Sequence, residues 1–193
     1  MDAVDTLRTR KKAATRQSLH EAALRLAMER GLDDVTVEDI ADEVGVSRRT
    51  FSNYFANKED AILHADRERT RMLVSLVENR PSAEKPWQAL RSASGELFRA
   101  GAVPDRVWVA QLRLLRRHPS LLARQAGDQI ALERDLAAVL TARSRDVPEE
   151  SARFMAATFL AALRTGSVLW LEAPGEQPLP ELVDRLLGSV SFR

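Results

Sequence analysis

The chain contains no cysteine, which excludes a disulfide framework and thiolate metal sites and suits a reducing compartment. Long apolar runs are absent too. The longest stretch without residues that resist burial, Phe154 to Leu163, is too short to span a bilayer. The N-terminus carries Asp2 and Asp5 and no apolar signal core, which argues against secretion. The expected location is the cytoplasm, at the nucleoid, with no membrane partner. There is no convincing alternating strand and no internal repeat. His20, His64 and His118 are scattered, and no metal-ligand spacing, nucleophile elbow or phosphate loop occurs. An enzyme is therefore the remote reading, and no metal or cofactor is expected.

Net charge is also lacking, at +1 over 193 residues, but its distribution is uneven. Arg8, Arg10, Lys11, Lys12 and Arg16 lie between Thr6 and His20 with no acid among them. Arg48, Arg49 and Lys58 fall in a second acid-free stretch, Val44 to Lys58. Between the two sit Glu29, Asp33, Asp34, Glu38, Asp39, Asp42 and Glu43. Basic patches of this kind flanking a compact helical motif point to phosphate contact.

What is present is helical periodicity. Leu19, Ala22, Ala23 and Leu26 predict a first helix from about Thr9 to Arg30, stopped by Gly31. Thr36 caps a second, with Asp39 as its capping-box partner, and Gly45 ends it. Ser47 caps a third, running to about Phe55. A fourth is expected from Lys58 to about Asn79. The rest follow at roughly Trp87–Arg99, Asp105–Arg117, Ser120–Arg143, Pro148–Glu172 and Leu179–Val190. The fold class is all-α, about nine helices: an N-terminal three-helix DNA-binding domain over residues 1–57 with a basic arm, and a helical bundle over 58–193. The arm reads as a phosphate or minor-groove contact, or as a disordered solvated tail.

On the third helix, Phe51, Tyr54 and Phe55 share one side and can lock onto Ile40, Ala41, Val44 and Val46. The other side presents Arg48, Arg49, Ser52 and Asn53, with Thr50 at the margin. Arginine bonds guanine bidentately and asparagine bonds adenine, each good pair discriminating by about 1–3 kcal/mol. Two short helices around a tight glycine turn can set such a face in the major groove.

At these positions the chain resembles the TetR family of bacterial transcriptional regulators. The resemblance runs from Arg16 through Ile62 and rests on Ala22-Ala23, Gly31, Thr36, Ile40-Ala41, Gly45-Val46-Ser47, Thr50-Phe51, Tyr54-Phe55 and Lys58. It implies base or phosphate contacts from Arg48, Arg49, Thr50, Ser52 and Asn53, and phosphate contacts from Thr36, Tyr54 and Lys58. Ser52 departs from the tyrosine that many members carry. The Trp108–Leu122 and Ala156–Glu172 segments resemble an actinobacterial subgroup that includes responders to acyl-CoA-like ligands.

The second half carries apolar sets without a chemical motif. A small-molecule effector pocket, which the resemblance implies, is expected from Trp87, Leu90, Phe98, Trp108, Gln111, Leu112, Leu115, Met155 and Phe159; plain core is the competing reading for each. The small residues Ala152, Ala156, Ala157, Ala161, Ala162 and Gly166, and Leu182, Val183, Leu186, Leu187 and Val190, suit a homodimer through about 149–172 and 179–190, with internal packing as the alternative. The expected function is a homodimeric repressor on a palindromic double-stranded operator, released by a small apolar or amphipathic ligand. A constitutive repressor without an effector is the alternative.

Overall fold

The structure, a computed structural model, describes residues 3–101, 104, 106–144, 146–173 and 175–192, with side chains from residue 7 onward. The described residues form ten helices and no strand. They are α1 (Ala3–Arg30), α2 (Val37–Val44), α3 (Arg48–Ser52), α4 (Lys58–Ile62), α5 (His64–Glu78), α6 (Pro86–Arg99), α7 (Arg106–Arg117), α8 (Pro119–Arg143), α9 (Glu149–Glu172) and α10 (Leu179–Gly188).

Three local outcomes differ from the sequence reading. The first helix begins at Ala3, so the basic arm continues α1. The third helix stops at Ser52. The turn after it tightens, with Asn53 N–H donating to Thr50 O and Tyr54 N–H to Phe51 O at 3.1 and 2.8 Å, while Phe55 N–H also reaches Phe51 O at 3.0 Å, so the helix closes in a mixed turn. The helix expected from Lys58 to Asn79 is broken at Leu63, whose backbone sits near φ −84, ψ 2. Leu63 is fully buried, and packing rather than a glycine or proline fixes that break.

By compactness the chain divides into two units. The first comprises Met1–Arg67 with Arg106–Gln125, the second Glu68–Asp105 with Ala126–Arg193. α7 thus groups with the N-terminal helices. In the first unit, Leu19, Ala23, Leu26, Ile40, Phe51, Ile62, Leu114, Leu115 and Leu121 share one buried cluster. Burial of each large side chain contributes about 1.5–3 kcal/mol.

In the second unit α9 packs on α10, and α6 contacts both. Gly166 marks the close approach of α9 and α10: a Cβ there would lie 2.8 Å from Val183 Cγ2. Arg143 donates to the carbonyls of Val77, Glu78, Arg80 and Pro81 at 2.7–3.2 Å, satisfying acceptors that the end of α5 leaves open. By length and composition α9 is apolar enough to cross a membrane, with a mean hydropathy of 1.4 over its best window. Its apolar content comes from the run Phe154 to Leu163 together with Val168, Leu169 and Leu171 beyond Arg164.

Candidate nucleic-acid interface

The site is built on two capped helices. Thr36 accepts from Asp39 N–H at 3.1 Å, and the Asp39 carboxylate accepts from Thr36 N–H at 2.8 Å and from the Thr36 hydroxyl. These bonds, with the nearby Arg30, hold the Asp39 carboxyl below the usual carboxylate range. At the other end of α2, Gly45 adopts a left-handed φ of 72°. Val46 N–H then reaches Ala41 O and Gly45 N–H reaches Asp42 O, at 2.9 and 3.0 Å, closing the helix before the turn. Ser47 starts α3 by accepting from Thr50 N–H at 3.1 Å.

Phe51 is completely buried and Phe55 nearly so, with ring centroids 5.8 Å apart. Ile40 and Ala41 are buried in the same cluster, with Val44, Val46 and Tyr54 packed against it. This pins α3 by one side and leaves Arg48, Arg49, Ser52 and Asn53 exposed on the other, with Thr50 half-buried. The division expected from the helical wheel is the one the structure has.

The expected phosphate-gripping residues are more engaged. The Lys58 ammonium donates to Leu32 O and Val35 O at 2.7 and 2.8 Å, leaving one of its three N–H bonds for a further acceptor. The Thr36 hydroxyl donates to Asp39 within the cap. Tyr54 is half-buried beneath Arg16, whose guanidinium carbon lies 5.9 Å from the ring centroid. Ser52 Oγ donates to Arg48 O at 3.1 Å. Thr50 Oγ1 shares a 2.9 Å bond with Ser47 Oγ.

Acids on α2 are answered by arginines. Arg25 pairs with Glu43 at 2.7 Å, Arg48 with Glu38 at 2.8 Å, and Arg30 with Asp39 at 3.8 Å. The Arg48–Glu38 partners are 73% and 50% exposed, so their pair contributes at most about 1 kcal/mol and a stronger anion can displace it.

The arrangement matches known proteins over nearly its whole length. The family model described as bacterial regulatory proteins, tetR family, matches residues 19–65. A second, described as the MftR C-terminal domain, matches residues 84–191. The HTH-type transcriptional regulator TcmR of Streptomyces glaucescens is 35% identical over 176 residues, covering 85% of this chain and 76% of that protein. The chain belongs to the TetR family. As a TetR-family protein it is a DNA-binding transcriptional regulator and not an enzyme. The regulator BetI of Escherichia coli (strain SE11) is 30% identical over 181 residues, 88% of this chain and 90% of that protein. The fold is shared with FadR of Thermus thermophilus, a TetR-family repressor solved in complex with lauroyl-CoA. There the TM-score is 0.55 at 22% identity, over 90% of this chain and 91% of that one.

Two features of this TetR-family reader are not evident from its sequence. One is the stacking of Arg16 on Tyr54, for which the basic run before Leu19 was the available signal. The other is a buried acid: Asp60 Oδ1 accepts from Arg67 Nη1 at 2.9 Å and from Arg124 Nε and Nη2 at 3.0 and 2.7 Å. Asp60 lies in the first turn of the helix that Asn57 caps, with Asn57 Oδ1 accepting from Asp60 N–H at 2.9 Å.

The residues expected at an effector pocket fall into both units. Trp87, Leu90, Phe98, Met155 and Phe159 lie in the second, where the Trp87 and Phe159 rings meet edge to face at 6.5 Å. Trp108, Gln111, Leu112 and Leu115 lie in the first. Leu115 is part of the reader's buried cluster and Leu112 packs against it, so for these two the core role is the one observed.

Proposed function

We propose that this protein is a homodimeric repressor that reads a palindromic operator through the exposed face of α3 and is released by a small apolar or amphipathic ligand. The observation that carries the reading is the split of α3: Phe51 buried, and Arg48, Arg49, Ser52 and Asn53 exposed. Arg48, Arg49 and Asn53 contact base edges, with Thr50 and Ser52 bonding bases or phosphates. Thr36, Tyr54 and the remaining N–H of Lys58 hold the backbone. The protein works on the chromosome, in the cytoplasm.

Dimerisation is supported by α9. Phe154, Val168 and Leu169 are 66%, 36% and 43% exposed, and the helix is apolar well beyond the side it buries on α10. Pairing 149–172 and 179–190 with a second copy would cover that surface. Two readers related by a two-fold axis then match half-sites about 34–36 Å apart, or a multiple of that spacing.

The effector reading rests on the second unit. Trp87, Leu90, Phe98, Met155 and Phe159 supply an apolar and aromatic lining, and the lauroyl-CoA bound to the FadR neighbour supports a ligand of acyl-CoA type. α5 and α8 each begin in the first unit and end in the second, giving a covalent route from ligand to reader. The ligand shifts DNA binding only by its difference in affinity for the two conformations.

The test begins with an operator selected from a random DNA pool. Arg48→Ala and Asn53→Ala should each lose discrimination at their own base positions, and wild-type specificity in both variants overturns the readout. A stable monomer by light scattering at micromolar concentration overturns the dimer. A thermal-shift series with acyl-CoAs of increasing chain length tests the ligand class.

A further inference from the structure

α1 is continuous from Ala3 to Arg30, and among its described side chains only Thr15 and Arg16 are even half-buried before Leu19. Every side chain from Leu7 to Ala14 is exposed. A helical segment whose side chains are exposed gains little from burial and is marginal in water. This one also opposes itself, because Arg8 stands three and four residues from Lys11 and Lys12, and Lys12 four from Arg16. Like charges at those spacings destabilise a helix. No acid lies between Thr6 and His20 to offset them.

Its position is fixed at one end. Arg16 lies over the Tyr54 ring, just past the C-terminal end of α3. Arg8, Lys12 and Arg16 fall at i, i+4 and i+8, on one face of the helix, with Lys11 beside them and Arg10 on the opposite side. A basic strip therefore leads away from Tyr54 along α1. From Arg16 to Arg8 it rises about 12 Å, whereas each DNA strand carries a phosphate about every 3.4 Å of axis.

We infer that residues 8–16 of α1 form a second DNA-binding element, which lies along the sugar-phosphate backbone beside the base pairs read by α3. The duplex supplies negative charge along a segment that has none between Thr6 and His20, and in doing so stabilises it. Phosphate contacts carry no sequence information, so the element adds affinity and salt dependence to every duplex alike. This rests on the reading of α3 as the base-reading helix and extends its footprint.

The test compares the full-length protein with its Arg8→Gln/Lys12→Gln variant. Both are titrated on the selected operator and on a shuffled duplex of equal length, over a series of salt concentrations. Glutamine keeps helix propensity, and both positions are exposed, so the melting temperature serves as a control for folding. The slope of log K against log salt should fall by about 0.9 for each phosphate that the variant no longer neutralises, close to 2 per protomer, on both duplexes. The ratio of operator to shuffled affinity should stay unchanged. Between 50 and 200 mM salt the wild-type advantage should shrink by about 3.5-fold for each such phosphate. Equal slopes for the two proteins overturn this inference while leaving α3 as the reader. A variant that loses discrimination also overturns it, because the residues would then act through α3. A wild-type protein that fails to distinguish operator from shuffled DNA overturns the reading of α3 itself.

Discussion

Arg124 grips Asp60 with two donors, Nε at 3.0 Å and Nη2 at 2.7 Å, both on the same carboxylate oxygen. The pair joins residues 64 apart in the chain, and Arg67 adds a third donor from α5. Asp60 is nearly buried, so its charge is held by these guanidinium groups rather than by water. The first turns of α8 are thereby fastened beside the break between α4 and α5.

Asp60→Asn keeps the shape and removes the charge. Hydrogen bonds to charged groups contribute about 1.5–3 kcal/mol each, and the arginines here retain some solvent contact, which lowers that figure. The variant should lose about 2 kcal/mol, read as a drop in denaturant midpoint with the m-value unchanged. Operator affinity at low temperature should fall less than stability, since Asp60 is nearly buried and engaged by Arg67 and Arg124 rather than exposed on α3.

Glu38 lies beside the reader and holds Arg48. Glu38→Gln removes an acid from the DNA side and releases that arginine. Affinity for any duplex should rise by about threefold at low salt, the scale of one exposed ion pair. The increase should vanish at high salt. Fluorescence anisotropy on operator and shuffled duplexes measures both. A fall in affinity would mean that Glu38 orients Arg48 for base contact.

Two glycines separate two kinds of constraint. At Gly45 a Cβ meets nothing within 4 Å, but φ is +72°, so Gly45→Ala carries only the left-handed backbone penalty, about 1–2 kcal/mol. At Gly166 the obstacle is Val183, a buried branched side chain, and Gly166→Ala should cost about 1–3 kcal/mol through overpacking. Calorimetry should show both lower melting temperatures, by about 2–4 °C per kcal/mol at this size. Only Gly45→Ala should also weaken operator binding, because it disturbs the turn between α2 and α3.

Asp39 sets an acid limit on the reader. Its carboxyl is held low chiefly by the Thr36 hydroxyl, then by the Thr36 backbone, with Arg30 adding attraction. A depressed folded pKa means stability present above the unfolded value and lost as pH falls through the folded one. The melting temperatures of wild type and Asp39→Asn should therefore differ most near neutrality and converge below about pH 4. A difference that grows on acidification contradicts this assignment of the cap.

Much of the reader was legible because its signals are local. Thr36 with Asp39, Gly45, and Ser47 before a Phe51-centred helix each act within a few residues, and each appears in the structure where the sequence placed it. Leu63 shows where local signals end. No breaker stands there, and only its burial in the cluster shared with residues of α1 and α7 interrupts the helix. The engagement of Lys58 with Leu32 and Val35 and of Asp60 with Arg124 was illegible for the same reason. Charge and spacing identify a cation, but the chain's path decides which oxygen it meets. For the effector pocket, apolar periodicity could not tell Leu115, which packs into the reader, from Phe159, which lies in the other unit.

On the proposed reading, Arg48, Arg49 and Asn53 contact base edges while Phe51 only holds α3 in place. The most direct measurement is binding of the wild type, Arg49→Ala and Asn53→Ala to the selected operator and to every single-base variant of one half-site. Each substitution should weaken operator binding and flatten the preference at one or two positions by about 1–3 kcal/mol, leaving the other positions discriminated as before. Uniform weakening at all positions, or full discrimination by both variants, would contradict the account.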